Sequence, residues 1–66
     1  MSEVAAKHEL REKELQAHII GGTEESPEAD QIRDEMETLW YQMTDQEHRE
    51  ADARADAFWK SHKQQA

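Results

Sequence analysis

The chain has 66 residues, no cysteine, and a formal net charge of −8 from sixteen acidic and eight basic side chains. This size allows one domain with a thin core, and the lack of cysteine excludes disulfides and thiolate zinc sites. The negative charge argues against direct binding to nucleic acid or to anionic membranes. We therefore expect a single domain over residues 1–66 that associates, as small scaffolds without disulfides usually do.

The location of the protein is predicted from its start and its apolar content. The first ten residues carry charges where a secretory signal needs an apolar stretch, and no apolar run reaches membrane-spanning length. We expect a cytoplasmic protein without a cofactor.

The first predicted element is a helix over about residues 3–20, which are rich in helix-forming side chains. Its apolar residues are poorly aligned, because Val4, Leu15 and Ile19 share one side whereas Leu10 lies well round from them. Glycines at positions 21 and 22 end the helix, since glycine readily adopts the left-handed conformation found there. This helix is expected to pack less firmly than the others, and residues 21–26 form the predicted linker.

The second predicted element is a helix over about residues 27–43. Ser26 precedes Pro27, which is the order expected of an N-cap residue and the first helical position. A single apolar stripe follows at helical spacing. Its members are Ile32, Met36, Leu39, Trp40 and Met43.

The third predicted element is a helix over about residues 45–61. Thr44 and Glu47 have the spacing of a capping box, and Ala51, Ala55 and Phe58 then share one face. A single helix from 27 to about 61 is the alternative, because no glycine or proline interrupts the chain there. We expect a break, and hence an all-α fold: a small helical bundle with a helical hairpin of 27–43 and 45–61, the N-terminal helix beside it, associating as a homodimer.

Two pairs of adjacent aromatic residues carry the main functional signal. Neighbours on a helix point about 100° apart, so each pair spreads apolar surface beyond what one packed partner covers. Either the first helix covers the second edge, or the aromatic residues anchor another protein. The predicted partner-binding residues are Trp40, Tyr41, Phe58 and Trp59, above a floor of Ile32, Met36, Leu39 and Met43.

The sequence therefore predicts a small acidic protein-binding or regulatory module that is not an enzyme, since no nucleophile with a base or phosphate loop is evident. One alternative is an acidic inhibitor that mimics nucleic acid and blocks a basic site. Its acidic face would comprise Asp45, Glu47, Glu50, Asp52 and Asp56. The third is a metal-binding protein, because His8 and Glu12, and His48 and Asp52, are four residues apart on a helix face.

Overall fold

The computed structural model describes residues 2–65, with side chains described for 2–62, and contains three helices and no strand in that range. Helix α1 runs Glu3–Gly21, α2 runs Pro27–Trp40 and α3 runs Asp45–Gln65. The predicted all-α class and the three predicted helices are confirmed.

Both ends of α1 are closed by the residues around them. The Ala5 amide donates to the Ser2 hydroxyl at 3.1 Å, which caps the start of the helix. At its other end Gly22 has a φ of 79°, and the Thr23 amide donates to the His18 carbonyl at 2.8 Å. This is a Schellman ending, which needs a left-handed residue that glycine supplies without strain.

The start of α2 follows the sequence prediction. Ser26 has extended backbone angles, and its hydroxyl accepts a hydrogen bond from the Ala29 amide at 3.2 Å. Pro27 occupies the first helical position, where its missing amide hydrogen costs nothing.

The chain breaks between α2 and α3, which excludes one continuous helix. The Glu47 amide donates to the Thr44 hydroxyl at 3.2 Å, and the Thr44 amide donates to the Glu47 carboxylate at 2.9 Å. The predicted capping box is therefore confirmed. Helix α2 ends at Trp40, three residues earlier than expected. Met43 lies in the turn that follows, where only 7% of its surface is exposed.

Helix α1 makes the main helix contacts of the fold. It packs extensively along α2 and less extensively against α3, and α2 meets α3 locally at Trp40 and His48. The residue pairs in contact give the chain directions: α2 runs antiparallel to α1, and α3 runs parallel to α1. The Cα positions extend over 33 × 26 × 13 Å.

The expected pairing of α2 with α3 is local, at Trp40 and His48, and the larger contact of α2 is with α1. The physical reason lies in polar contacts that an apolar pattern does not show. Arg54 of α3 donates to Glu12 of α1 at 2.9 Å, and the Ser2 hydroxyl donates to Glu47 at 2.6 Å. These two contacts hold α3 against α1.

The buried core is small. Within the described residues, the buried apolar side chains are Ala5, Ala29, Met43 and Ala51, and no large side chain is fully buried. Buried alongside them are two polar residues, His8 and Glu12. Most of the apolar stripe on α2 keeps part of its surface exposed, because α1 and α3 cover it only in part.

We predict that Thr44→Ala lowers the free energy of unfolding by about 1 kcal/mol, because it removes the hydroxyl that caps α3. Urea denaturation measures the change. Ser61→Ala is the control, since Ser61 is exposed within α3 and lies far from the first turn that Thr44 caps. Equal destabilisation by the two substitutions would contradict a capping role for Thr44.

Candidate functional site

An open groove lies between α2 and α3, with α1 as its floor. We call it the α2–α3 groove. Its volume is about 350 Å³, and one long side is open to solvent. Helix α1 contributes His8, Glu12 and Leu15, α2 contributes Arg33, Met36, Glu37 and Trp40, and α3 contributes Ala51, Asp52 and Ala55.

The surface that the groove exposes is mostly apolar, although Glu12 lies on its floor and Arg33, Glu37 and Asp52 lie on its walls. Leu15, Met36 and Trp40 each keep part of their surface exposed. Ala51 and Ala55 are one helical turn apart on α3, so this wall has no bulky side chain. An object with an apolar surface would bury these residues by entering the groove.

Trp40 forms one end of the groove and lies between two histidines. Its ring stacks on that of His48 at 4.0 Å between ring centroids, with an interplanar angle of 17°. The His8 ring lies 5.8 Å away on a tilted plane. His48 Nε2 also donates to the Trp40 carbonyl at 2.7 Å, because a carbonyl oxygen can only accept. His48 therefore contacts both the last turn of α2 and the indole ring of Trp40.

His8 is 97% buried (3% exposed), and its Nδ1 atom has no hydrogen-bond partner among the described residues. Burial lowers the pKa of His8 below its usual 6.5, because the charged ring would lose its hydration. The Glu12 carboxylate opposes this shift, whereas Arg54 and His48 add to it. These charged and titratable groups reach His8 from α1 and α3, and α2 presents the neutral Trp40.

Glu12 is the buried carboxylate of the site, and Arg54 neutralises it. The Arg54 Nε atom lies 2.9 Å from Glu12 Oε1, and its Nη1 atom lies 3.6 Å from Glu9 Oε1. A buried carboxylate needs such a partner, because an unpaired one is strongly destabilising. The Glu12 carboxylate is therefore occupied by an ion pair within the fold.

The structure distributes the predicted partner-binding residues over several places. Met36 and Trp40 line the α2–α3 groove, and Ile32 is partly exposed on α2. Tyr41 is 77% exposed in the turn, whereas Met43 beside it has little surface left for a partner. Phe58 and Trp59 contact each other and His62 near the end of α3.

Leu39 lies elsewhere, in a second apolar recess between α1 and α2. We call it the Leu10 recess, and its lining residues are Lys7, Leu10, Arg11, Glu35, Thr38 and Leu39. Leu10 is 56% exposed and lies two positions after His8, which places the two side chains about 200° apart around α1. The recess and the groove are therefore on different sides of α1.

Sequence reasoning missed what α1 contributes to the groove. The positions Val4, His8, Glu12, Leu15 and Ile19 follow steps of four and three, so they form one continuous stripe on α1. Two of its members, His8 and Glu12, are polar, so a search for apolar residues alone does not find the stripe. The helical spacing of the five positions, together with an arginine on α3 that could neutralise Glu12, could have predicted it.

The histidines do not converge. Among the side chains that the structure describes, no group of three or more histidine, aspartate and glutamate residues is placed to hold a metal ion. His18 instead lies 2.7 Å from the Thr23 hydroxyl, at the end of α1. Within residues 2–65, no helix combines the length and apolar character that crossing a bilayer would require.

We predict that acid weakens the fold through His8. Its pKa in the folded state is below 6.5, so as pH falls through 6.5 the unfolded chain takes up this proton before the folded chain does. The free energy of unfolding should therefore decrease as pH falls below 6.5. Urea denaturation of the protein and of His8→Leu between about pH 7.5 and pH 5.5 should show a weaker pH dependence for the variant. Identical slopes would contradict the prediction.

Comparison with known proteins gives no relative for this chain. No family model matches it, and neither a curated protein nor a solved structure is significantly similar to it. The functional proposal therefore rests on the two apolar surfaces and on the charges around them.

Proposed function

We propose that this chain is a small protein-binding or regulatory module, not an enzyme, and that the α2–α3 groove is its main contact surface. One observation carries the proposal: no large side chain among the described residues is fully buried, and Leu15, Met36 and Trp40 keep part of their apolar surface exposed in the groove. A protein partner that covers the groove would bury this surface, which is favourable.

The chemistry of the groove supports binding over catalysis. A ligand pocket normally encloses about 70–90% of its ligand, whereas this groove is open along one side. The Nδ1 atom of His8 is sealed, and Glu12 is neutralised by Arg54. Acid and base catalysis needs titratable groups that can reach a substrate, so these two residues are poorly suited to it.

The shape of the groove also favours a protein over a small molecule. Trp40 and Met36 are residue types that bind well at protein interfaces, the first as a rigid anchor and the second as an adaptable apolar surface. Both lie in the groove with part of their surface exposed. The alanines on α3 leave room for side chains of the partner between them.

We predict that Ala55→Arg weakens partner binding about tenfold or more, because it places a charge in the apolar groove. Ala57→Arg is the matched control, since Ala57 is exposed on the same helix and does not line the groove. Quantitative affinity capture from a native lysate compares the protein with both variants.

Proteins lost only by Ala55→Arg are groove partners. If every captured protein responds equally to both variants, the groove is not the contact surface. Circular dichroism of the variants checks that both keep the helical content of the protein.

We also propose that the chain forms a homodimer through the Leu10 recess. Leu10 and Leu39 supply the apolar surface, and charges of both signs surround them, with Lys7 and Arg11 on α1 and Glu35 on α2. A two-fold dimer brings the same patch of both copies together, so a patch with both signs can complement itself.

We predict that Leu10→Glu shifts the protein toward monomer at a given concentration, because it buries a carboxylate at the dimer contact. Sedimentation at several protein concentrations measures the shift. Ala57→Glu carries the same added charge on α3 and should sediment as the unmodified protein does. A strictly monomeric protein at all concentrations would contradict the dimer.

A further inference from the structure

We propose that the occupant of the α2–α3 groove is a basic amphipathic helix of another protein, with an apolar stripe flanked by lysine or arginine residues. The inference rests on the proposed function and identifies its partner class. Three features of the groove lead to it: the mostly apolar surface that it exposes, the small residues on one wall, and two carboxylates that form no ion pair with the side chains of residues 2–62.

The apolar surface of the groove fits the stripe of a helix. The groove lies between two helices and is widely open to solvent, which leaves room for an elongated segment. Ala51 and Ala55 allow close approach, because the distance between packed helices depends on the side chains at the contact. Leu15 and Met36 offer apolar surface to the side chains that enter.

The charges in the groove indicate which sign of charge the partner carries. Four charged residues line it, and two are already engaged: Arg33 lies 3.0 Å from Asp30, and Glu12 lies 2.9 Å from Arg54. The remaining two, Glu37 and Asp52, form no ion pair with any side chain in the described range 2–62.

Those two carboxylates belong to opposite walls, since Glu37 is on α2 and Asp52 is on α3. A helix in the groove would place one flank beside each of them. Lysine and arginine suit both positions, because their long apolar stems can cover the walls while the charged groups reach the carboxylates. The net charge of −8 attracts such a helix over a longer range.

A second copy of this chain fits the groove less well. Its exposed apolar patch at Leu10 is flanked by cations, but these are paired within the chain. Lys7 lies 3.5 Å from Glu3, and Arg11 lies 2.7 Å from Glu35. A second copy would also bring another eight negative charges to an acidic wall.

The test uses the full chain and three synthetic peptides of about 16 residues, which is roughly 24 Å of helix. The first has a leucine stripe flanked by lysines, the second replaces the lysines with glutamates, and the third has the composition of the first in an order without a stripe. Isothermal titration calorimetry measures binding at low and at physiological salt. We expect the first peptide to bind most tightly, and to bind more weakly as salt rises.

Two double variants locate the charges. Glu37→Gln with Asp52→Asn should weaken binding of the lysine peptide about 2- to 5-fold per site, the range expected for exposed ion pairs, and should reduce its salt dependence. Glu25→Gln with Asp34→Asn is the control. It changes the net charge equally but at exposed positions outside the groove, so binding should stay as in the unmodified protein.

Four results would overturn the inference. Equal binding of the lysine and glutamate peptides would remove the role of charge, and equal binding of the peptide without a stripe would remove the role of the groove floor. If neither striped peptide bound while Ala55→Arg still abolished capture of a protein, the proposed function would stand and the helical occupant would be wrong. Loss of self-association in Ala55→Arg would identify the occupant as a second copy.

Discussion

The contact that brings α3 to α1 is the ion pair between Arg54 and Glu12. It joins α3 to the middle of α1, and the contact between Ser2 and Glu47 joins the starts of the same two helices. The main packing contact lies elsewhere, between α1 and α2. With α3 beside α1, part of the apolar stripe of α2 faces the α2–α3 groove and stays partly exposed.

The same arrangement explains why polar residues occupy the centre of such a small protein. Burying His8 and Glu12 costs stability compared with apolar residues of similar size, and Arg54 offsets part of that cost only when α3 is in place. The ion pair is partly buried, because the Arg54 side chain keeps 31% of its surface exposed. It forms only when α3 lies beside α1, which is the arrangement in which Trp40 and Met36 keep part of their surface exposed. The position of α3 beside α1 thus accounts both for the burial of polar residues and for the exposed apolar surface of the groove.

The two apolar surfaces differ in charge, which suits them to different partners. In the Leu10 recess Arg11 pairs with Glu35, and Lys7 pairs with Glu3 outside the recess, so the recess can meet a second copy without excess charge. The groove has Glu37 and Asp52 on opposite walls, and a basic partner would neutralise them. Since the recess and the groove lie on different sides of α1, a dimer could present its grooves to other proteins.

The sequence by itself determined the local structure. Ser26, Pro27, Gly22, Thr44 and Glu47 set the ends of the helices through hydrogen bonds within a few residues, so their effects can be read from neighbouring positions. Only the tertiary structure decided which helices meet, because the contact between Arg54 and Glu12 joins positions 42 residues apart. The apolar pattern alone favoured α3 against α2, and it included Met36 and Trp40 in the predicted surface but not His8, Leu15 or Asp52. Long-range polar pairing has no periodic signature in a sequence, whereas capping and amphipathic spacing do.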